Sequence, residues 1–316
     1  MRKFRNNIIC GDCIELLSKV RKPFADLIFA DPPFNIGFQY DKYNDKKEKD
    51  KYIAWTREWM TACYHVLKEE GSFYIAIGDE YAADVKLIAD KLKLTMRNWI
   101  IWHYTFGQQT KRKFSRAHTH ILYFTKDKNQ FTFNDYAVRV PSDRQLIYND
   151  KRANPKGKTP DDVWNEYSRV CGTFKERAGW HPCQMPESLL TRIVAVSSNP
   201  GDLVLDPFVG SGTTVVVAFK MNRKYTGIDI SPDYVRNARK RLTQTEKQTQ
   251  SASLFFNPAE QIELKRLYID VGIEAQKILA NNRLLDVFAK QFATRMNNSK
   301  DYDKNSIATV LMDLVN

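Results

Sequence analysis

Two short stretches of the sequence combine reactive residue types with positions where parallel sheets bind ligands. The first, Asp31-Pro32-Pro33-Phe34, follows the apolar run Asp26–Ala30. Such a run predicts a strand buried on both faces of a parallel sheet, and ligands bind at the carboxyl ends of these strands. Because proline has no backbone N–H, the two prolines leave stiff carbonyls free to accept hydrogen bonds. An acid, rigid carbonyls and an aromatic face can together hold a planar group that bears an amine.

The second stretch, residues 206–214, reads DPFVGSGTT and lies between a predicted strand and a predicted helix. Glycines at 210 and 212 let the backbone approach a ligand, and the helix start offers unpaired N–H donors. Asp229 closes the next predicted strand, where a doubly wound nucleotide-binding unit places a carboxylate for ribose hydroxyls. A P-loop is excluded, because no Gly-Lys-Ser/Thr follows the glycines. The pattern indicates a nucleotide-like cofactor.

The two motifs in this order resemble the β group of amino-methylating DNA methyltransferases, in which the catalytic half precedes the cofactor half. Further matches are Gly11-Asp12-Cys13, Gly227-Ile228-Asp229 and the segment 181–186, HPCQMP. The family pattern at the last place is HPTQKP, so Cys183 and Met185 depart from it and the role of that lysine is absent or supplied elsewhere. The resemblance covers about residues 7–242, and the tail from 243 onward lies outside it.

The resemblance implies a catalytic group of Asp31, Pro32, Pro33 and Phe34. The Asp31 side chain and the Pro32 carbonyl would accept hydrogen bonds from the exocyclic amine of the target base, and Phe34 would stack on that base. S-adenosylmethionine is the implied cofactor, and no metal ion is expected. The residues assigned to the cofactor are Asp12, Cys13, Asp31, His181, Gln184, Pro186, Asp206, Pro207, Phe208, Gly210, Ser211, Gly212, Thr213, Thr214 and Asp229.

The expected reaction is direct in-line transfer of a methyl group to an amine of a flipped-out base in double-stranded DNA. Asp31 favours adenine N6, because N4-cytosine relatives commonly have Ser there; cytosine N4 stays the alternative. A protein or RNA methyltransferase would typically have Asn first in the acceptor turn and the cofactor half earlier. An inactive DNA-binding specificity module is a further alternative, and the intact motifs argue against it.

DNA contact is predicted for three segments. Residues 42–51 alternate in charge and are expected to be mobile and to close over the flipped base. The basic loop within 108–118 suits phosphates, and an irregular insert occupies the place of the family's target-recognition region. The side chains assigned to DNA are Lys111, Arg112, Lys113, Arg116, Arg139, Arg144, Lys151, Arg152, Lys156 and Lys158.

The elements that must position these motifs alternate between strands and helices. The pattern predicts an α/β fold, a doubly wound and mostly parallel sheet of the Rossmann-like methyltransferase type, with an inserted target-recognition region and a helical C-terminal extension. The expected organisation is a catalytic half (1–125), the insert (126–180), a cofactor half (181–242), and a linker with helices (243–316). Residues 243–253 are nearly free of apolar side chains and are predicted to be the linker, followed by a helical segment, 259–296.

Composition agrees with this interpretation. The chain has 316 residues with 43% hydrophobic and 27% charged side chains, which excludes a disordered or fibrous protein. A net charge of +12 favours a polyanionic partner. The apolar runs are too short to span a bilayer, and five scattered cysteines do not form a disulfide framework, so a cytoplasmic location is expected. A homodimer and a cognate restriction endonuclease stay open as partners.

Overall fold

The protein is built on one eight-stranded sheet. The structure, a computed structural model, describes residues 3–108, 110–251 and 256–315, and the side chains of 106–108, 249–251, 314 and 315 are not considered. The strands are β1 (Asn7–Cys10), β2 (Ala25–Ala30), β3 (Leu67–Ile77), β4 (Thr95–Gln108), β5 (Arg116–Thr125), β6 (Val163–Trp164), β7 (Leu203–Asp206) and β8 (Lys224–Asp229).

Helices cover both faces of the sheet. They are α1 (Cys13–Ser18), α2 (Lys49–Val66), α3 (Ala82–Lys91), α4 (Asp143–Leu146), α5 (Glu187–Ser197), α6 (Thr213–Lys220), α7 (Pro232–Ser251), α8 (Pro258–Val271), α9 (Ala275–Ala280), α10 (Asn282–Arg295) and α11 (Lys304–Val315). In the described part of the chain, no helix combines the length and the apolar character that crossing a bilayer requires.

The strand order is β1-β8-β7-β2-β3-β5-β4-β6, and all strands except β5 run in the same direction. The chain therefore winds outward on both sides of the β2–β7 pair. A doubly wound sheet has a crevice at such a switch point, outside the carboxyl ends of the strands. The predicted fold class is confirmed, and the crevice places the ends of β2 and β7 beside each other.

Strand β2 shows why its sequence is continuously apolar. Leu27 and Phe29 pack into a core on one face of the sheet, whereas Ile28 and Ala30 pack into a core on the other. These four side chains are at most 1% exposed. A strand in the middle of a sheet with helices on both faces needs apolar residues at every position.

The prediction of a linker at residues 243–253 is wrong as far as Ser251, because α7 continues through it. The segment consists largely of Gln, Glu, Lys and Thr, and several of these residues have good helix propensity. Thr245 is buried, so this turn packs against the protein, and its hydroxyl donates to the Arg241 carbonyl within the helix. The rest of the predicted linker lies outside the described residues.

The helical segment predicted at 259–296 comprises three helices, α8 to α10, and α11 completes a separate apolar core with them. This unit is joined to the sheet domain by buried charges. The Asp270 carboxylate forms salt bridges with Arg192 of α5 at 2.9 Å and with Arg295 of α10 at 2.6 Å. A third salt bridge, with Arg266 of α8, has a length of 3.4 Å. Burial opposes ionisation, but the three guanidinium groups lower the pKa of Asp270 to about 2.

The insert also packs on these C-terminal helices through its backbone. Arg283 donates to the Gln145 and Leu146 carbonyls, and Arg295 donates to the Arg139 carbonyl at 2.7 Å. Arg266 is hydrogen-bonded to the Ala137 carbonyl. The C-terminal helices therefore hold a segment that has little regular structure of its own.

We expect Asp270→Ala to lower the free energy of unfolding by about 3–5 kcal/mol, because it leaves buried arginines unpaired. Chemical denaturation measures this change. Asp286→Ala is the matched control, since Asp286 also pairs with a cation, Lys304, but is 46% exposed. Equal effects of the two substitutions would contradict a stabilising role for the buried salt bridges around Asp270, which are called the ionic lock below. Because the pKa of Asp270 is depressed, its stabilisation is present above about pH 4 and is lost as the pH falls toward 2.

Candidate active site

Three carboxylates lie at the carboxyl ends of the parallel strands, the side of the sheet that is called the carboxyl edge below. Asp31 directly follows β2, Asp206 ends β7, and Asp229 ends β8. All three line one cavity with an empty volume of about 960 Å³, part of it open to solvent. The switch point of the sheet therefore brings together residues that lie almost 200 positions apart in the chain.

The carboxylates lie in a poorly solvated region. Burial raises the pKa of Asp31 to about 7, and the nearby Asp206 raises it further in the same direction. Burial likewise raises the pKa of Asp206 to about 7, although the Phe208 amide donates to it at 2.9 Å. Burial also raises the pKa of Asp229. Such a group of carboxylates favours a cationic ligand, because a positive charge would stabilise the ionised forms.

The turn between β7 and α6 is shaped by glycine and by Asp229. Gly212 caps α6 with φ +81°, a left-handed conformation that favours glycine. A Cβ on Gly210 would lie 2.7 Å from His181 Nε2, so only glycine fits there. The Asp229 carboxylate accepts from the amides of Gly210 at 3.0 Å and Ser231 at 2.9 Å. The turn is thus fixed to the end of β8 with its backbone facing the cavity.

His181 is held as a neutral acceptor beside this turn. Its Nδ1 lies 2.6 Å from the Cys183 carbonyl, which implies that Nδ1 carries the proton and donates. Burial lowers the pKa of His181 to about 4, so the ring is uncharged at neutral pH. The Cys183 thiol is no nucleophile, because burial raises its pKa to about 11. The segment 181–183 therefore supplies shape and an acceptor.

Arg241 of α7 supports the glycine turn from behind. Its guanidinium donates to the Ser211 carbonyl at 3.0 Å and to the Thr213 hydroxyl at 2.9 Å. The same guanidinium pairs with Glu187 at 2.9 Å, and Lys220 pairs with the other oxygen of that carboxylate at 2.7 Å. Two helices, α5 and α7, are thereby joined behind the turn. Sequence reasoning missed this arginine, because its distance from the motif along the chain carries no signal.

The segment after the Asp31 turn is folded around a buried carboxylate. Asp45 is 2% exposed and accepts from the amides of Asn35 at 2.7 Å and Phe38 at 2.9 Å. The Asn35 side chain accepts from the Lys47 amide at 2.6 Å. These contacts organise residues 35–47, of which Tyr40, Lys42 and Tyr43 line the cavity. Only 42–47 overlap with the predicted closing segment, 42–51, and α2 begins at Lys49 within it.

The proline turn itself is fixed by Tyr52. The Tyr52 hydroxyl donates to the Pro33 carbonyl at 2.6 Å, and Tyr52 is 1% exposed. Pro33 lines the cavity, whereas Pro32 is buried and does not line it. Phe34 packs on the apolar core and on Gly78, and it does not line the cavity.

Most residues predicted for the cofactor meet at the cavity. Those that line it are Asp12, Cys13, Asp31, His181, Asp206, Pro207, Phe208, Gly210, Ser211, Thr213, Thr214 and Asp229. Gln184, Pro186 and Gly212 do not line it. The Gln184 side chain accepts from the Ala178 amide and donates to the Glu176 carbonyl, each at 2.7 Å, so it fixes the preceding loop. Pro186 caps α5.

Asp12 has a structural role as well as a place in the cavity wall. Its carboxylate caps α1 by accepting from the amides of Ile14 at 2.7 Å and Glu15 at 3.3 Å. Cys13 is buried, and burial raises the pKa of its thiol to about 12. The pair therefore contributes a capped helix start to the cavity wall.

Sequence reasoning missed several aromatic residues of the cavity. Tyr40, Tyr43, Trp55 and Tyr234 line it, and the Tyr40 ring lies 6.5 Å from that of His181. Burial raises the pKa of Tyr40, so its hydroxyl stays protonated. Trp55 lies on α2, and nothing in the sequence indicates which face of that helix meets the cavity.

The cations predicted to bind DNA fall into two regions. Lys111, Arg112 and Lys113 are exposed in the connection between β4 and β5. Arg116 begins β5 and pairs with Asp79 at 2.9 Å. This hairpin lies at the carboxyl edge, because β5 runs opposite to β3.

The insert begins at the other edge of the sheet. The Asn134 amide donates to the Val196 carbonyl at the end of α5. Because α5 leads into β7, this contact lies at the amino ends of the strands, called the amino edge here. Arg139 follows closely and is occupied within the chain, since it pairs with Asp135 at 2.6 Å and donates to the Gly157 carbonyl. The other predicted cations of the insert are exposed: Arg144, Lys151, Arg152, Lys156 and Lys158.

The sheet is doubly wound, and a glycine turn and an acidic proline turn follow the two strands at its switch point and line one cavity. Comparison with known proteins gives the family. A family model described as DNA methylase, of N6/N4 type, matches residues 25–240. The chain therefore belongs to the N6/N4 DNA methylase family, and the predicted family is confirmed.

Individual relatives agree with this assignment. The chain is 40% identical over 236 residues to the type II methyltransferase M.HpaI of Haemophilus parainfluenzae, covering 74% of this chain and 73% of the relative. It is 40% identical over 245 residues to the DNA adenine methyltransferase YhdJ of Escherichia coli K12, covering 74% and 82%.

Solved structures share the fold. The DNA modification methylase TTHA0409 of Thermus thermophilus in complex with S-adenosyl-L-methionine matches with a TM-score of 0.56 and 21% identity, over 76% of this chain and 94% of that one. The cytosine-N4-specific PvuII DNA methyltransferase matches with a TM-score of 0.58 and 19% identity, over 76% and 91%.

Proposed function

We propose that this protein transfers a methyl group from S-adenosylmethionine to the N6 amine of adenine in duplex DNA. The observation that carries the proposal is the place of Asp31, a carboxylate at the end of β2 that lines the same cavity as the glycine turn. The relative YhdJ, named as a DNA adenine methyltransferase, supports adenine as the target.

The residues present fit this cofactor. The buried Asp31, Asp206 and Asp229 favour a cation, and S-adenosylmethionine is cationic at its sulfonium and ammonium groups. Between Gly210 and His181 there is a narrow space that a Cβ on residue 210 would fill. Each oxygen of Asp229 already accepts one backbone amide and keeps a lone pair for a ribose hydroxyl. The cofactor supplies an electrophilic methyl group on a positively charged sulfur.

The protein must position and activate the amine. An exocyclic amine is conjugated with its ring and is a poor nucleophile. Its two hydrogens can be donated to the Asp31 carboxylate and to the Pro32 carbonyl, which draws the nitrogen toward tetrahedral geometry and frees its lone pair. Positioning of this kind supplies several kcal/mol of the barrier, and about 7–11 kcal/mol in the best-oriented cases.

Asp31 can also take up the proton that the methylated amine must lose. Because burial raises the pKa of Asp31 to about 7, this carboxylate is a stronger base than an exposed one. Protonated Asp31 is a weaker acceptor and cannot take up a further proton, so the ionised form starts the reaction. The cysteines have no covalent role in this scheme.

A flipped base would enter beside aromatic residues. Stacking on Phe34 stays the prediction from the family, and its ring would have to turn from its contact with Gly78 to reach the cavity. Tyr40 and Tyr43 already line the cavity and offer flat faces near Asp31. We propose that Tyr40 forms one wall of the base pocket.

N4 of cytosine is the second candidate. The same acceptors could activate it, and the cytosine-N4-specific PvuII enzyme has the same fold. A carboxylate at position 31 is a stronger acceptor than the hydroxyl of serine, and this observation favours adenine.

Since M.HpaI is named a type II methyltransferase, we also propose a cognate endonuclease as a partner to be sought. Self-association would be tested by analytical ultracentrifugation.

The target base is tested by expressing the protein in a host without adenine or cytosine methylation. Its DNA is digested to nucleosides and weighed by mass spectrometry. We expect N6-methyladenine with the native protein and none with Asp31→Ala, because the acceptor of the amine is lost. Cofactor affinity of the variant should stay within about tenfold of the native value, on the order of 1.4 kcal/mol. N4-methylcytosine without N6-methyladenine would refute the adenine proposal, and an active Asp31→Ala would refute the role of Asp31.

Arg241 should act as a positioning residue for the cofactor turn. We expect Arg241→Met to weaken S-adenosylmethionine binding by about tenfold, since a charged donor to the turn is worth about 1.5–3 kcal/mol. Arg241→Lys should restore part of it. Isothermal titration calorimetry gives the dissociation constant, and steady-state kinetics should show a raised KM for the cofactor with KM for DNA unchanged.

The matched control for Arg241 is Arg236→Met on the same helix. Arg236 is 71% exposed and pairs with Asp233 in the first turns of the same helix. Cofactor affinity should be unchanged in this variant. If both variants lose affinity equally, or if Arg241→Met lowers only the melting temperature, then Arg241 does not position the turn.

A further inference from the structure

The β4–β5 hairpin projects beyond the carboxyl edge of the sheet. Ile77, the last residue of β3, pairs with His120, but β5 begins at Arg116 and β4 extends to its partner Gln108. At about 3.4 Å per residue, the ribbon extends roughly 13 Å past the end of β3. Strand β3 lies between this ribbon and β2, so the hairpin rises beside the edge that carries Asp31. A duplex presented to Asp31 would meet the hairpin.

An apolar ring stands at the tip of this hairpin. Phe114 is 99% exposed, more than any other large hydrophobic side chain in the described ranges. The Thr110 hydroxyl is hydrogen-bonded to the carbonyl of Lys113, the residue before Phe114, and this bond closes a turn in the connection. Arg116, at the end of β5 that is next to this turn, pairs with Asp79 of the loop after β3 at 2.9 Å. A fully exposed aromatic ring on an anchored turn indicates a ring that is buried in a complex.

The surroundings of Phe114 indicate which kind of partner buries it. Lys111, Arg112 and Lys113 precede it directly, and all three are exposed. One isolated ring among cations does not form the broad apolar patch of a protein interface. Nucleic acid has the matching arrangement, with phosphates outside and stacked apolar faces inside.

We propose that Phe114 is a wedge that enters the base stack of the substrate DNA and occupies space left when the target base is flipped out. This inference rests on the proposed base-flipping reaction on duplex DNA. Extrusion of a base leaves a gap whose neighbours have lost stacking, and an inserted apolar side chain restores it. The adjacent cations hold the phosphates on both sides of the gap. Phe114 is therefore a positioning residue that stabilises the flipped state and does not touch the reacting atoms.

Phe114→Ala and Phe114→Trp test the wedge. Methyl transfer to unmethylated duplex DNA should fall at least about tenfold in kcat with Ala and stay near the native rate with Trp, since stacking on one base is worth this much. Cofactor affinity and melting temperature should be unchanged in both variants. Phe133→Ala is the matched control, because Phe133 is 44% exposed but lies beside Asn134, toward the amino edge.

Plasmid relaxation by a topoisomerase gives a second readout that requires no knowledge of the recognition sequence. Insertion between bases unwinds DNA, so the native protein and Phe114→Trp should shift the linking number in the presence of S-adenosylhomocysteine. Phe114→Ala should not shift it at equal DNA occupancy. Unwinding by Phe114→Ala equal to the native protein, or a loss confined to KM for DNA, would overturn the wedge. A native protein that methylates no DNA would instead overturn the proposed function.

Discussion

The structure depends on the convergence of three carboxylates in a space that hydrates them poorly. Asp31, Asp206 and Asp229 each have a raised pKa because of burial, and like charges add to the cost. An arrangement of this kind is unfavourable for the empty protein and becomes favourable when a cation binds. The same feature explains why the site can select a sulfonium cofactor, and Asp31 becomes a base for the amine once transfer has removed the sulfonium charge that lowers its pKa.

The rest of the molecule keeps these groups in place with buried polar contacts. Arg241 and Glu187 hold the glycine turn from behind, Asp45 folds the wall next to Asp31, and Tyr52 fixes the proline turn. The C-terminal helices add the ionic lock around Asp270. The contacts of Arg241 and Asp270 join segments that are distant in the chain, whereas those of Asp45 and Tyr52 fix neighbouring loops of the cavity wall.

Local patterns predicted the sheet and both motifs correctly. The apolar run of β2 and the strand–turn–helix at 203–214 are properties of neighbouring residues, and the carboxyl-edge rule then places their ends together. The roles of Arg241 and Tyr40 could not be predicted, since their partners are set by how distant segments pack. The helix through 243–251 was missed because its polar sequence lacks an apolar stripe, and only a few side chains such as Thr245 are buried.

The measurement that tests the central claim most directly is the proton balance of cofactor binding. Isothermal titration calorimetry with S-adenosylmethionine at pH 7, in buffers of different ionisation enthalpy, gives the number of protons exchanged. Because the free protein holds Asp31 and Asp206 with pKa values of about 7, a bound cation should lower both values and release protons. Affinity should therefore rise from pH 6 to pH 8, and Asp206→Asn should reduce the release. Binding without proton exchange, or with net uptake, would contradict the account.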